Sequence, residues 1–424
     1  MANEFRAEVF QNPYLPAGAN EVHAIMTVTA GEGTRPAATG RLFGILCDTS
    51  GSMEGGKIVA AKGAMIRLAT MLPADCNFFV IAGSEQAQLV CPVMPATPAN
   101  KQYAIKAIQQ GVRAVGGTTI SLWLRTALKQ FQTMPNALKQ ALLLTDGQNE
   151  REDTQNLEAA LGECEGQFQC DCRGVGTDWR VEQLRAIAGR LLGTTDFIPS
   201  PAQIDADFQS ILEKAMAKTV SDVLVRLWTP QGAQVKFLKE VSPEIMDMSG
   251  RARQTKPQVR EYPTGSWAKG ETRDFHFCIS VNPGAVGDEV LAGRASLIYY
   301  ARGVENKIAE ARILAVWTDD EAKTAKIDRV VAHYTGQAEL AQSIQEGLDA
   351  RNRGETERAT ALLGRAVKIA HESGNEATAK LLRNVVDVED AEKGTVRLKG
   401  GVTKEAEMML ETRSTKTARL ARTS

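Results

Sequence analysis

Residues 42–52 read LFGILCDTSGS, and this stretch decides the fold of the chain. The apolar segment 42–47 predicts a buried β-strand, and a carboxylate and several hydroxyls follow at its carboxyl end. Residues 57–72 then carry apolar side chains at helical spacing, so the strand leads into a helix. A buried strand followed by a helix is typical of a parallel sheet that is covered by helices.

The same alternation of strand and helix continues to about residue 218. Apolar runs at 77–82, 141–145, 170–175 and 196–198 predict the further strands. We therefore expect an α/β domain at 41–218, with a doubly wound and mostly parallel sheet. Ligands of such sheets bind in the crevice beyond the carboxyl ends of the strands.

The segments on both sides of this domain resemble antiparallel β structure. Alternating apolar residues and Pro, Gly and Asn turns predict strands within residues 1–40 and 219–318. We expect these two segments to form one β-sandwich, into which the α/β domain is inserted.

The C-terminal part of the chain is predicted to be helical and then disordered. The helical region, 319–390, divides into Asp319–Gly336, Ala338–Gly354, Glu355–Ser373 and Asn375–Val388. The final segment, 391–424, has few large apolar side chains and ends with basic residues only, which predicts a disordered, basic, Thr-rich tail.

Composition excludes several classes of protein. The 424 residues include 50 Lys and Arg against 51 Asp and Glu, so no net charge attracts the chain to nucleic acid or to a membrane. The chain contains no apolar run long enough to span a bilayer, and residues 1–8 lack the pattern of a signal peptide. The seven cysteines are scattered and odd in number, which disfavours a disulfide framework. These features predict a cytoplasmic protein.

Polar side chains occur in three segments of the α/β domain that are expected to lie at the carboxyl ends of its strands. Asp48, Ser50 and Ser52 come directly after the first strand of the α/β domain, Thr118 lies in a glycine-containing loop, and Asp146 follows the strand 141–145. Each element alone is equally typical of a helix cap or a turn. Together, at neighbouring strand ends, their oxygens form the donor set that a hard divalent cation such as Mg²⁺ prefers.

These residues resemble the metal-ion-dependent adhesion site of the von Willebrand factor A domain, which is written DxSxS, then Thr, then Asp. Asp48, Ser50 and Ser52 match the first element, Thr118 the second and Asp146 the third. The resemblance covers residues 41–218 and implies the Rossmann-like fold of that family, a bound Mg²⁺ (or Mn²⁺ or Ca²⁺) and protein binding rather than catalysis. It also implies that an acidic side chain of a partner protein completes the coordination of the metal.

Signatures of enzymes are missing from the sequence. It contains no GxxxxGK(S/T) phosphate loop, no HExxH and no GxSxG. We therefore expect a non-catalytic adaptor, similar to A-domain proteins of bacterial intracellular assemblies. One alternative is an accessory subunit of an AAA+ ATPase machine of the MoxR or chelatase type. Metal-dependent hydrolysis is a further alternative.

The C-terminal segment suggests a second alternative, a signalling component that is controlled by phosphorylation. A TxRL pattern occurs at Thr395 and again at Thr417, among basic residues. A Ser/Thr kinase could add a phosphate to either threonine, and a phosphopeptide-binding protein could then recognise it. A solubilising basic tail with a chance repeat explains the same residues.

Overall fold

The computed structural model describes residues 5–31, 40–150, 153–301 and 304–420. It divides the chain into two compact units. One unit combines Met1–Arg35 with Asp222–Ser424, and the other consists of Pro36–Ser221. We call them the β unit and the α/β unit.

The β unit begins with three strands near the N-terminus, which are β1 (Phe5–Gln11), β2 (Tyr14–Leu15) and β3 (Glu21–Ala30). Strands β1 and β3 are antiparallel, with Phe5 opposite Ala30 and Gln11 opposite Ala24. Burial alternates only at the start of β3, where Glu21 and His23 are exposed, and residues 24–28 are all buried.

The α/β unit contains one six-stranded sheet. Its strands are β4 (Arg41–Asp48), β5 (Cys76–Gly83), β6 (Ala87–Pro95), β7 (Leu138–Thr145), β8 (Gln169–Val175) and β9 (Thr195–Ile198). Their order across the sheet is β6-β5-β4-β7-β8-β9, so the strand that begins the domain lies near its centre. All pairs are parallel except β5 with β6, an edge strand that the sequence analysis did not predict. Pro92 and Pro95 make the sequence of β6 resemble a loop. Within a sheet, proline is tolerated at an edge strand such as β6.

Helices follow the strands of this sheet as the alternation predicts. They are α1 (Gly56–Met71), α2 (Pro98–Gly111), α3 (Ile120–Gln132), α4 (Thr154–Cys164), α5 (Val181–Arg190) and α6 (Ile204–Ala217). Helix α1 buries Ala61, Met65 and Leu68 in the core of the unit, at the spacing predicted for one helix face. The exposed residues of α1 are mixed and include Val59 and Met71 as well as Arg67 and Thr70.

The rest of the β unit is a series of strands after the α/β unit. They are β10 (Lys218–Trp228), β11 (Gln234–Ser242), β12 (Met246–Asp247), β13 (Arg253–Lys256), β14 (Val259–Ala268), β15 (Thr272–Ser280), β16 (Glu289–Ala301) and β17 (Val304–Trp317). One sheet has the order β1-β3-β15-β11-β12 and the other β13-β14-β10-β16-β17-β2. Strand β3 pairs with β15, so one sheet combines a strand that precedes the α/β unit in the chain with a strand that follows it.

The C-terminal region combines helices with a short hairpin. Its elements are α7 (Glu321–Thr324), α8 (Arg329–Asn352), α9 (Thr356–Glu372), α10 (Glu376–Val385), β18 (Val386–Asp390), β19 (Thr395–Leu398) and α11 (Lys404–Arg413). No helix in the ranges described above is both long and apolar enough to cross a membrane.

Two helices predicted on either side of Gly336 are one continuous helix, α8, so that prediction is wrong. Tyr334 and Leu340 are buried on either side of the glycine, and their packing outweighs its weak helix propensity. The predicted helix at 375–388 is also too long, because the chain turns into strand β18 at Val386.

The prediction of a disordered tail at 391–424 is wrong for residues 391–420. Strand β19 pairs with β18, and α11 buries Met408 and Leu410. Beyond α11, Ile245 N donates to Thr415 O at 2.8 Å and Thr417 N to Pro243 O at 3.1 Å. Backbone hydrogen bonds of this kind leave no trace in composition, which explains the error. Residues 421–424 lie outside the described residues.

Candidate metal centre

The carboxyl ends of two adjacent parallel strands create the site. Strands β4 and β7 are paired so that Cys47 lies opposite Leu144. The register therefore brings Asp48, which ends β4, beside Thr145 and Asp146 at the same edge of the sheet. The Thr145 hydroxyl donates a hydrogen bond to Asp48 Oδ2.

A chain of hydrogen bonds links the acidic and hydroxyl side chains. Ser50 N donates to Asp48 Oδ1 at 2.8 Å, and the hydroxyl oxygens of Ser50 and Ser52 are 3.0 Å apart. Ser52 Oγ then donates to Asp146 Oδ1 at 2.7 Å. These contacts hold four of the predicted residues in one oxygen-rich cluster.

Thr118 joins the same cluster from a neighbouring loop. A Cβ atom placed on Gly147 would lie 3.4 Å from Thr118 Oγ1, 3.5 Å from Ser52 Oγ and 3.9 Å from Asp48 Oδ2. Oxygens from two separate segments, the end of β4 with the turn after it and the Thr118 loop, therefore converge around Gly147, which carries no side chain. The structure thus brings together all five residues that the sequence analysis singled out.

Backbone contacts fix the loop that carries Thr118. Gly51 N donates to Gly116 O at 2.9 Å, and Val115 N donates to Thr49 O at 2.7 Å. Gly116 has a φ of 77°, a left-handed conformation that favours glycine. The double glycine of the sequence therefore shapes the approach of this loop to the end of β4.

Both carboxylates of the cluster are buried, which makes their negative charge unfavourable unless a positive charge is nearby. Asp48 and Asp146 are both 0% exposed, whereas Ser52 is exposed and marks the opening to solvent. Burial raises the pKa of Asp48 to about 6, although hydrogen bonds from Ser50 and Thr145 oppose the change. Two buried carboxylates favour a nearby cation, and Ser50, Ser52 and Thr118 add hydroxyl oxygens, so the residues fit Mg²⁺.

Lys57 is a member of the site that the sequence analysis missed. Its ammonium donates a hydrogen bond to Asp146 Oδ2, and it lies 3.8 Å from Asp178 Oδ2. A lysine in the first turn of a helix usually points to solvent, so nothing in the sequence indicated this contact. In the structure, Lys57 supplies positive charge to the cluster.

We expect Lys57→Met to tighten Mg²⁺ binding about tenfold, because the ammonium competes with the metal for Asp146 and repels it. Isothermal titration calorimetry of the two proteins with MgCl₂ measures the change. Lys62→Met is the matched control, since Lys62 lies on the same helix and contacts Gln109 O instead. Unchanged or weaker binding in Lys57→Met would show that Lys57 supports the site rather than competing for it.

The two predicted phosphorylation sites belong to the β unit. Thr395 is the first residue of β19 and is exposed. Thr417 is partly buried, and its hydroxyl donates to Val241 O at 2.8 Å. A kinase could therefore reach Thr395 in the folded chain, whereas a phosphate on Thr417 would break its contact with β11.

Two family models match separate segments of the chain. A family model described as the von Willebrand factor type A domain matches residues 44–197. A second model, described as the von Willebrand factor type A C-terminal domain, matches residues 368–414. The second match includes much of the segment that was predicted to be disordered.

A solved structure of a von Willebrand factor type A protein from Catenulispora acidiphila is 42% identical, with a TM-score of 0.93, and the alignment covers 99% of this chain and 98% of that one. The ArnB paralog VWA2 from Sulfolobus acidocaldarius shares the fold, with 14% identity and a TM-score of 0.58 over 96% of this chain and 97% of its own. The uncharacterized Synechocystis protein sll0103 is 29% identical over 212 residues, 48% of this chain. The chain spans about half (49%) of the length of that curated relative.

Proposed function

Because the chain belongs to the von Willebrand factor type A family, whose members commonly mediate protein interactions, we propose that it is a non-catalytic, metal-dependent adaptor. Its α/β unit would bind an acidic side chain of a partner protein through Mg²⁺. The observation that carries this proposal is the convergence of Asp48, Ser52 and Thr118 oxygens around Gly147, beside an opening to solvent.

The donor set explains why the partner group would be acidic. Asp48 and Asp146 supply the two carboxylates, while Ser50, Ser52 and Thr118 supply neutral hydroxyls. Mg²⁺ bound there would supply a Lewis-acidic centre that accepts a further oxygen ligand. With the two carboxylates, the Lys57 ammonium and Mg²⁺ together, the cluster would carry a net positive charge of about one, so a carboxylate is the ligand that the site favours.

The side chains of the α/β unit support binding rather than catalysis. Residues 36–221 contain no histidine, so the commonest general base is missing from this unit. Its six cysteines, Cys47, Cys76, Cys91, Cys164, Cys170 and Cys172, are all buried. Burial raises the pKa of Cys91 to about 11, which keeps its thiol protonated and poorly nucleophilic.

A pull-down from native extract tests the proposal. We expect the wild-type protein to retain a partner in Mg²⁺ and to lose it in EDTA, and Asp48→Ala to fail in both conditions. Asp75→Ala is the matched control, because Asp75 is exposed and precedes β5 at the opposite edge of the sheet. A partner that all samples retain equally would refute metal-dependent docking.

The identity of the retained protein separates the remaining proposals. An AAA+ ATPase would assign the chain to an ATPase machine as an accessory subunit, and a kinase or phosphopeptide-binding protein would assign it to signalling. Purified partner with a neutralised acidic side chain should no longer bind, which tests the acidic ligand directly. A cytoplasmic partner would agree with the location that the sequence predicts.

A further inference from the structure

A second group of metal-ligating side chains lies on the β unit, on one face of strands β3 and β15. Glu21, His23 and Cys278 each direct one ligand atom into a common space, and these three atoms lie within 4.8 Å of one another. His276 contacts this group from β15, with its Nε2 in hydrogen-bond contact 3.2 Å from His23 Nδ1. Among the described residues, no other group of three such ligands meets the same distance limit.

Strand register explains the convergence. His23 lies directly opposite Cys278 in the antiparallel pair, and Glu21 lies opposite Ser280. Glu21 and His23 are two residues apart on β3, and His276 and Cys278 are two residues apart on β15, so all four share one face. The other face of β15 carries Phe275 and Phe277, which are buried in the core.

The distances suit a transition metal. Zinc ligands lie about 2.0–2.3 Å from the ion, and a carboxylate oxygen, a nitrogen and a sulfur that lie within 4.8 Å of one another can reach that arrangement by side-chain rotation. The cluster is also accessible, because Glu21 and His23 are exposed while His276 and Cys278 are buried beneath them.

We propose that Glu21, His23 and Cys278 bind a zinc-type divalent ion in the β unit, separate from the Mg²⁺ centre of the α/β unit. The thiolate and imidazole ligands favour Zn²⁺ over Mg²⁺, which prefers oxygen. The ion would join β3, which precedes the α/β unit in the chain, to β15, which follows it. It would therefore stabilise the pairing that closes the β unit.

The nearby charges are compatible with this assignment. Lys236 Nζ lies 3.9 Å from Glu21 Oε1, a weak contact between two exposed side chains that a metal can displace. Lys239 stacks over the Phe237 ring, with its Nζ 5.1 Å from the ring centroid. Phe237 in turn lies edge-on to His276 and helps to fix the orientation of that imidazole.

Cobalt titration tests the site in the full chain. Protein freed of metal and then supplied with excess Mg²⁺ is titrated with Co²⁺, which reports a sulfur ligand by a thiolate-to-cobalt charge-transfer band in the near ultraviolet. We expect one equivalent of Co²⁺ to saturate this band and Zn²⁺ to abolish it, because a tetrahedral site with a thiolate and an imidazole ligand suits Zn²⁺. Absence of the band in wild-type protein would overturn the proposal.

Matched variants locate the ligands. We expect Cys278→Ala to lose the band and His23→Gln to bind Co²⁺ at least about tenfold more weakly. His23 is exposed, so His23→Gln should keep the circular dichroism and melting temperature of the metal-free protein. Cys91→Ala and Asp48→Ala should both retain the band. A band that persists in Cys278→Ala, or that disappears in Asp48→Ala, would refute the site independently of the proposed docking function.

Discussion

Replacing Asp48 with alanine is expected to weaken Mg²⁺ binding at least about a hundredfold, because the site loses one of its two buried carboxylates. Asp48 Oδ1 also accepts the hydrogen bond from Ser50 N, and its Oδ2 accepts that from Thr145. The substitution therefore removes both negative charge and the group that orients the first hydroxyl. Isothermal titration calorimetry with MgCl₂ measures the loss.

The fold should survive this substitution. Burial raises the pKa of Asp48 to about 6, which shows that the charged carboxylate is poorly solvated in the absence of metal. Removing it relieves an unfavourable buried charge, which offsets the loss of its hydrogen bonds from Ser50 N and Thr145, so the melting temperatures of variant and wild type in EDTA should agree within a few degrees. Only the wild type and the Asp75→Ala control should gain stability when Mg²⁺ is added. Equal stabilisation of Asp48→Ala by Mg²⁺ would place the metal elsewhere.

The position of the metal centre could be predicted because it depends on strand order along the chain. Parallel strands that follow one another through helices must present their carboxyl ends at one edge, so Asp48 and Asp146 had to meet. The DxSxS spacing then supplied the hydroxyls within the same turn. Thr118 was harder to place, because its loop position depends on the contact of Gly116 with Gly51.

Features that depend on long-range side-chain contacts could not be predicted in this way. Lys57 contacts Asp146, a residue 89 positions away, and no local pattern marks that pair. The facing of His23 and His276, which are 253 positions apart, requires the register of β3 with β15. Neither pairing across the α/β unit nor its register can be read from alternating apolar residues.

The ordered C-terminal segment illustrates the same limit. Arg351 on α8 binds Glu407 on α11, with its Nε 2.8 Å from Glu407 Oε1, and also donates to Lys399 O at 2.8 Å. The apolar contribution of the segment is small and comes from residues such as Val396 and Leu410. A composition-based prediction counts those few residues and concludes disorder, because it cannot count contacts with the preceding helices.

Close packing of two backbones holds this segment in place and leads to the second prediction. A Cβ atom on Gly364, in α9, would lie 2.3 Å from Gly394 O, in the turn between β18 and β19. A Cβ on Gly394 would lie 2.4 Å from Gly364 O, and Gly394 also has a φ of 72°. Neither carbonyl can rotate away like a side chain, so both positions require glycine.

We expect Gly364→Ala to destabilise the β unit by about 2–3 kcal/mol, because the hairpin must move away from α9 to admit the methyl group. The hairpin residues Val386–Leu398 should then exchange their amide hydrogens much faster than in wild type, while the α/β unit keeps its protection. Hydrogen exchange with mass spectrometry measures both regions in one experiment.

Gly336→Ala makes the same substitution at another helical glycine of the same unit and should have the opposite effect. Among the described residues, no atom beyond the adjacent residues and the nearby backbone of α8 lies within 4 Å of a Cβ placed on Gly336, so the methyl group meets open space and α8 gains up to about 1 kcal/mol of helix propensity. Urea denaturation should therefore rank the proteins as Gly336→Ala, wild type and Gly364→Ala, from most to least stable. If Gly364→Ala were as stable as wild type and its hairpin stayed protected, the backbone contact between α9 and the hairpin would not hold the C-terminal segment. A loss of stability without faster hairpin exchange would instead place the strain within α9 itself.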